Sequence, residues 1–361
     1  MTTAHRRLVF IDALKAIASQ LIVLHHLALY GPMSTMAHDL APDVFEWLET
    51  YGRIAVQVFL VMGGFLAVKS LAPAGVFVGG NPLTLVWRRY LSLALPFAAA
   101  LGLAILGAAV ARAWMAHDSI PLAPTWPQFV SHVFLLHGLL GQESLSAGVW
   151  YVAIDFQLFA LLCLTLWGAE RLGLAQGIRR LAPLLVWALV AASLFVFNLD
   201  AGWDNWALYF FGAYGLGALA YWAAAPHRAS GWLWLVAATG LAALLFDFRL
   251  RIAVALVTAV ALGVSRRYGW LGRWPDVGVL AFLGKVSYSV FLVHFPVCLM
   301  VNAAFVWIAP GQAEGNALGV LLAWGASVAV GTAFYHLVEA PVRQWLARRP
   351  QALRQGAAAR A

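Results

Sequence analysis

The chain reads as an all-α polytopic membrane protein, with about ten transmembrane helices and both termini in the cytoplasm. Three observations predict this. Hydrophobic residues fill 63% of the 361 positions and charged residues 11%, whereas soluble domains are about a quarter charged. The apolar residues, whose excess gives a mean hydropathy of +0.82, fall into runs of roughly 20, the length that crosses the hydrocarbon core. Arginines gather in alternate gaps between these runs and acidic residues in the others, the asymmetry that orients spans with cationic loops inside. The net charge of +8 is thus an orientation signal, and no nucleic-acid partner is expected.

The first span runs from Val9 to Leu29 (VFIDALKAIASQLIVLHHLAL), after His5, Arg6 and Arg7 and before a loop with Asp39, Asp43, Glu46 and Glu49. That order sets the N-terminus inside. The second, Arg53 to Leu71, contains Gly63 and Gly64, a pair that permits close helix approach or a kink. The third, Tyr90 to Ala111, follows Trp87, Arg88 and Arg89. Next comes a Pro- and His-containing stretch whose apolar part, FVSHVFLLHGLL, is too short to span and reads as interfacial or re-entrant. A full crossing at Phe129 to Leu140 would place every later arginine cluster outside, so it is rejected.

The fourth span, Trp150 to Glu170, ends at Arg171, Arg179 and Arg180. Leu181 to Asn198 and Trp206 to Ala224 are joined by a loop with Asp200 and Asp204. Trp232 to Phe246 and Ile252 to Ser265 are joined by a tight turn and followed by Arg266, Arg267 and Arg273. Val279 to Trp307 and Leu318 to Val338 complete the set, with Glu339, Pro341, Arg343, Arg348 and Arg349 after them. Arg112 and the DFRLR stretch, Asp247 to Arg251, break the charge asymmetry. Residues 1–345 form one transmembrane domain and 346–361 a basic, disordered tail. Cys163 and Cys298 lie inside spans, so buried thiols are expected and no disulfide framework. The first segment lacks a small-residue cleavage site and is not read as a signal peptide.

Ionisable groups within spans cost several kcal/mol unless they face protein or water, which makes them candidates for function. At about 100° per residue, Lys15 and His26 fall within about 20° of one another on the first span, with Asp12 and Ser19 near the same line and His25 about 80° away. Such a stripe is either a site reached from both sides or a polar seam between helices. Asp155, one turn into the fourth span, is either a carboxylate that orients or deprotonates a histidine or one paired with an arginine. Arg88 and Arg89 match phosphate binding and also ordinary topology. On the ninth span, Lys285, Ser287, Tyr288 and His294 stand in or near the bilayer. His294 either faces substrate or satisfies a carbonyl freed by Pro296. Glu339 reads as a cap or an ion-pair partner. Trp150 and Trp203 are candidates to stack on a sugar among 17 tryptophans that mostly suit interfacial belts. No metal-ligand spacing, nucleotide-binding glycine loop or nucleophile elbow is present, so no metal is expected.

These residues resemble the acyltransferase family 3 membrane proteins, which O-acylate glycans, lipids and antibiotics. The opening is similar in its basic residue followed after ten intervening residues by histidine, Lys15 and His26 within IDALKAIASQLIVLHH. VFLVMGGFLA resembles the second-span signature with Gly63 where Ser is usual, and WRRYLSLALP the arginine-rich start of the third, with Ser92 where a second Arg is frequent. WYVAIDFQLFALL resembles W-x-x-x-x-E-x-Q with Asp155 in the acidic position. LGKVSYSVFLVHFP and YHLVEAPVR are similar to the last two signatures, so the likeness covers nearly the whole chain.

The resemblance implies a stand-alone membrane acyltransferase in a bacterial inner membrane. It would take an acyl group, acetyl by expectation, from cytoplasmic acyl-CoA to a hydroxyl of an extracytoplasmic glycan or glycolipid, amid membrane lipid and with envelope polysaccharide assembly proteins as possible partners. His26 is then the general base or transient acyl acceptor, and Asp155 orients it or its partner. Lys15, Arg88 and Arg89 hold the anionic donor, and Trp150, Tyr288 and His294 contact the acceptor. The alternative is a transporter or flippase for a glycan or acyl carrier, using the stripe as a relay.

Overall fold

A computed structural model of the chain describes residues 7–176, 181–225 and 228–348. All regular structure among them is helical, the arrangement that lets each span satisfy its own backbone in lipid. The α-helices are α1 (Val9–Leu29), α2 (Pro32–Ala37), α3 (Pro42–Tyr51), α4 (Ala55–Leu71), α5 (Pro82–Trp114), α6 (Trp126–Val133), α7 (Val149–Gln176), α8 (Leu181–Phe195), α9 (Ala207–Ala223), α10 (Gly231–Phe246), α11 (Leu250–Arg267), α12 (Gly278–Ile308) and α13 (Ala313–Phe334). A π-helical turn, Tyr335–Glu339, follows α13.

Seven stretches among the described residues are long and apolar enough to cross a membrane: Val9–Leu29, Pro42–Leu71, Pro82–Trp114, Val149–Gly173, Leu181–Leu199, Gly278–Ile308 and Ala313–Arg348. The other three expected spans are present as α9, α10 and α11. The first two have 17 and 16 residues, about 25 Å of helix, and α11 carries Arg251, Arg266 and Arg267 within its 18.

Elsewhere the boundaries differ from expectation for local reasons. The acidic loop after the first span is itself helical, as α2 and α3. Helix α5 begins at Pro82 rather than Tyr90, because Asn81 caps it through the Leu83 N–H at 2.9 Å and proline suits a first helical position. The segment expected not to cross holds α6, eight residues opened by a reciprocal Thr125–Gln128 capping box and far too short for a bilayer. The last helix continues through residue 348, so residues 346–348 of the expected tail are helical. His5, Arg6, Arg179, Arg180, Arg349 and tail residues 350–361 lie outside the described residues.

The chain divides into two compact units. The first comprises residues 1–22, 51–86 and 153–285. Within it α4 and α9 meet backbone to backbone: a Cβ on Gly64 would overlap the Tyr214 carbonyl, and one on Gly217 the Val61 carbonyl. The glycine pair is therefore a close-approach device, as small residues at membrane helix interfaces are. The DFRLR exception also resolves here. Arg249 donates to Asn198 Oδ1 at 2.8 Å and the Leu194 carbonyl at 3.0 Å, and Arg251 to the Asn198 carbonyl at 2.8 Å. These guanidinium groups hold the carbonyls of Leu194 and Asn198 at and just beyond the end of α8. Asp12 is likewise paired, accepting from Arg7 Nε at 2.8 Å, while Arg7 also reaches Asp276.

The second unit comprises residues 23–50, 87–152 and 286–361. Its core joins Val23, Leu27 and Met33 to Val290, Cys298 and Phe305 of α12 and Ala323 of α13. Asn302 clamps the turn after α1, accepting from the Met33 N–H at 3.0 Å. Arg112, the other exception, donates to the Pro121 carbonyl. The π turn aims Glu339 inward, where it is 1% exposed and accepts from Ser289 at 2.5 Å while facing Arg343. Ser289 thus ties α12 to the turn. Both cysteines are buried free thiols, as expected.

Candidate active site

His26 lies in the last turn of α1 and His294 in the middle of α12, and both are almost wholly buried. Their rings stack at 4.9 Å with planes 10° apart, and His26 Nδ1 stands 2.7 Å from His294 Nε2. The tautomers follow from the far end of this chain. His294 Nδ1 is 2.7 Å from the Phe291 carbonyl, which can only accept, so that nitrogen carries the proton. A neutral His294 then has a bare Nε2, which must accept from His26 Nδ1–H. The lone pair of His26 is therefore on Nε2.

The surroundings fix this geometry. His25, on the same turn, donates through Nδ1 to the Leu48 carbonyl of α3 at 2.8 Å and so ties α1 to α3. Tyr30 lies 5.6 Å from the His26 ring. Gly148, just before α7, has φ +76°, a left-handed conformation that an L side chain rarely adopts. A Cβ there would meet Phe291 Cζ at 3.0 Å and His26 Cε1 at 3.5 Å, so the backbone at 148 forms one wall of the imidazole.

The other expected site residues are placed as follows. Tyr288 donates its hydroxyl to the Leu93 carbonyl at 3.0 Å, which links α12 to α5. Arg88 gives one N–H to the Leu346 carbonyl at 2.9 Å, out of the five a guanidinium carries. Arg89 follows it on α5, and Ser92 turns back to the Arg89 carbonyl at 2.8 Å. Trp150, partly buried, opens α7 beside Gly148, its ring 6.3 Å from Tyr151. In the first unit Lys15 sits partly buried on α1, and Asp155, 6% exposed, stands on α7 with Oδ1 3.7 Å from where a Cβ of Gly63 would lie. That Cβ would come within 2.9 Å of the Tyr214 ring, which accounts for glycine in place of the usual serine.

The sequence singled out His294 but not its bond to His26. The His26 ring nitrogen that an orienting group would hold, Nδ1, faces His294. The carbonyl that His294 satisfies belongs to Phe291, not to Leu292, whose i+4 partner is Pro296. No group of three or more metal-ligating side chains occurs among the described residues.

A buried imidazole held in one tautomer with a bare Nε2 can act as a base or nucleophile, chemistry that a membrane-embedded acyltransferase would use. The acyltransferase domain of family 3 matches residues 8–336, nearly the whole chain, and the protein belongs to that family. Comparison with curated proteins and with solved structures gives no match.

Proposed function

We propose that the protein is an O-acyltransferase moving an acyl group, acetyl by preference, from cytoplasmic acyl-CoA to a hydroxyl of an extracytoplasmic glycan or glycolipid. The observation that carries the chemistry is the run from His26 Nδ1 through His294 to the Phe291 carbonyl, which leaves His26 Nε2 as an oriented base. In this reading Nε2 takes the proton of the acceptor hydroxyl as its oxygen adds to the thioester carbonyl. The tetrahedral intermediate expels the CoA thiolate, which recovers the proton from the imidazolium, leaving an ester, a free thiol and a neutral histidine. The same lone pair could instead attack the thioester first, expelling the CoA thiolate, and hold the acyl group until the hydroxyl takes it and passes its proton to the thiolate. His294 positions the ring in both cases. Asp155 is a second acid–base group, and Lys15, Arg88 and Arg89 supply cations for the donor's phosphates. Trp150 offers a ring face to a sugar.

The reading places about ten spans in a bacterial inner membrane with both termini cytoplasmic, so that the donor meets the arginine-rich side. The test is binding and turnover of labelled acetyl-CoA by the protein in nanodiscs. Turnover is expected to vanish in His26→Ala and to fall in Asp155→Asn, and binding to weaken in the Arg88→Ala/Arg89→Ala double variant. A folded wild type that does not bind the thioester would move the protein to the transporter reading.

A further inference from the structure

A second histidine pair lies outside this relay. His132, in the last turn of α6, and His137, just beyond it, stack with centroids 4.1 Å apart and planes 10° apart, and both are buried. His132 Nδ1 is 2.7 Å from the Gln128 carbonyl and so carries the proton, and its Nε2 accepts from the Leu145 N–H at 3.2 Å. The neutral ring therefore bridges α6 to residues 145–148. Those residues run directly to the wall of His26. Ser146 is buried and lines, with Phe97, Leu101, Val149, Phe291 and Leu292, a cavity of about 10 Å³, and Gly148 packs on Phe291 and on His26 Cε1.

We propose that His132 is a positioning residue whose neutral imidazole holds the 145–148 segment against His26, and whose protonation releases it. An imidazolium has no acceptor, so the Leu145 N–H would lose its partner. Among the described residues neither ring is paired with a carboxylate. His137 is the stacked ring, Tyr90 of α5 spends its hydroxyl on the Val133 carbonyl at 3.0 Å, and Glu143 is exposed, meeting Gln128 through its backbone carbonyl. Burial keeps both imidazoles below the ordinary histidine range, His137 down to about 4 with His132 adding to the effect. The segment is thus closed at neutral pH and opens in acid. The catalytic meaning of this rests on the reading of His26 as the reacting base, but the hinge itself does not.

The experiment measures the labelling rate of the Ser146→Cys thiol by a dithiodipyridine, which reacts with thiols in acid as well as at neutral pH. The whole protein is used in nanodiscs, and each rate is divided by that of the exposed control Ser144→Cys. Both cysteine variants are made with His132 intact, with His132→Gln and with His132→Leu. With His132 intact, the thiol at 146 should label about 100-fold more slowly than the control at neutral pH, and the ratio should rise at least about tenfold as the pH falls toward 4. His132→Gln, whose side-chain oxygen can take the Leu145 N–H, should stay protected at both pH values, and His132→Leu should be open at both. The proposal is overturned if His132→Leu leaves the thiol at 146 protected, if His132→Gln is as open as His132→Leu, or if His132→Gln shows the same acid rise as the intact histidine. Cys163 and Cys298 must stay unlabelled in every variant, and where His132→Leu fails that check the His132→Gln comparison decides. If the labelling pattern holds while His26→Ala still transfers acyl groups, the reading of His26 fails and the hinge stands.

Discussion

Replacing His294 by leucine tests the relay most directly. The substitution deletes a 2.7 Å bond and leaves the His26 Nδ1–H buried among Phe291, Tyr30 and the backbone of Gly148. An unpaired buried donor costs about 1–3 kcal/mol, so the protein should remain folded with a lower Tm. The kinetic cost should be larger. Without an acceptor on Nδ1, the imidazole proton is free to move to Nε2, where it occupies the lone pair that must take the hydroxyl proton. Loss of an orienting partner of this kind lowers kcat by about 10²- to 10⁴-fold in hydrolases that use a histidine base. Glutamine at 294 places an oxygen near the position of Nε2 and can accept from Nδ1–H, so His294→Gln should fall between wild type and His294→Leu. Turnover of labelled acetyl-CoA, with Tm in detergent as the folding control, checks the order. Wild-type kcat in a folded His294→Leu protein would refute the relay. Equal loss in His294→Gln and His294→Leu would refute the tautomer argument while leaving a role in packing.

Three further outcomes follow from other contacts. Gly64→Ala drives a Cβ into the Tyr214 carbonyl, a backbone atom that cannot swing away, and should cost about 3 kcal/mol or more in a thermal melt. Gly168→Ala on α7, which meets nothing within 4 Å, should be neutral or stabilising by up to about 1 kcal/mol. Glu339→Leu strands the buried Ser289 hydroxyl and should lower Tm by several degrees, about 1–3 kcal/mol, whereas Glu339→Gln keeps that bond and loses only the pair with half-exposed Arg343.

Much of the fold was legible because lipid leaves few options. A long apolar run must be a helix, and each expected span is found as one. What escaped prediction lies where side chains set local ends. The Asn81 cap that lengthens α5 gives a signal a capping rule would find, since Asn-Pro is a recognisable start. The helicity of Pro42–Tyr51 is harder, because an acidic stretch between spans reads as loop and no buried face marks it, Val44, Trp47 and Tyr51 all being exposed. The arginines at 112, 249 and 251 looked like topology errors and are helix-end donors, which no charge count distinguishes.

The site was legible residue by residue and not as a constellation. His26 stood out because a histidine on a polar stripe is costly in a span, and His294 because it precedes Phe-Pro. Neither fact pairs residues 268 positions apart in sequence. Pairing depends on the close approach of α1 and α12, and the sequence shows that only indirectly, through small and polar residues near the turn that Asn302 clamps. The consequence bears on mechanism. Asp155 was expected to orient His26 or its partner, and the group on His26 Nδ1 is a second imidazole, His294, anchored on a backbone carbonyl. A carboxylate would stabilise the imidazolium strongly and make the base easy to protonate. A neutral histidine fixes the same tautomer with less stabilisation of the charged form, which in the reaction proposed above suits a base that gives its proton back to a thiolate at the end of each turnover.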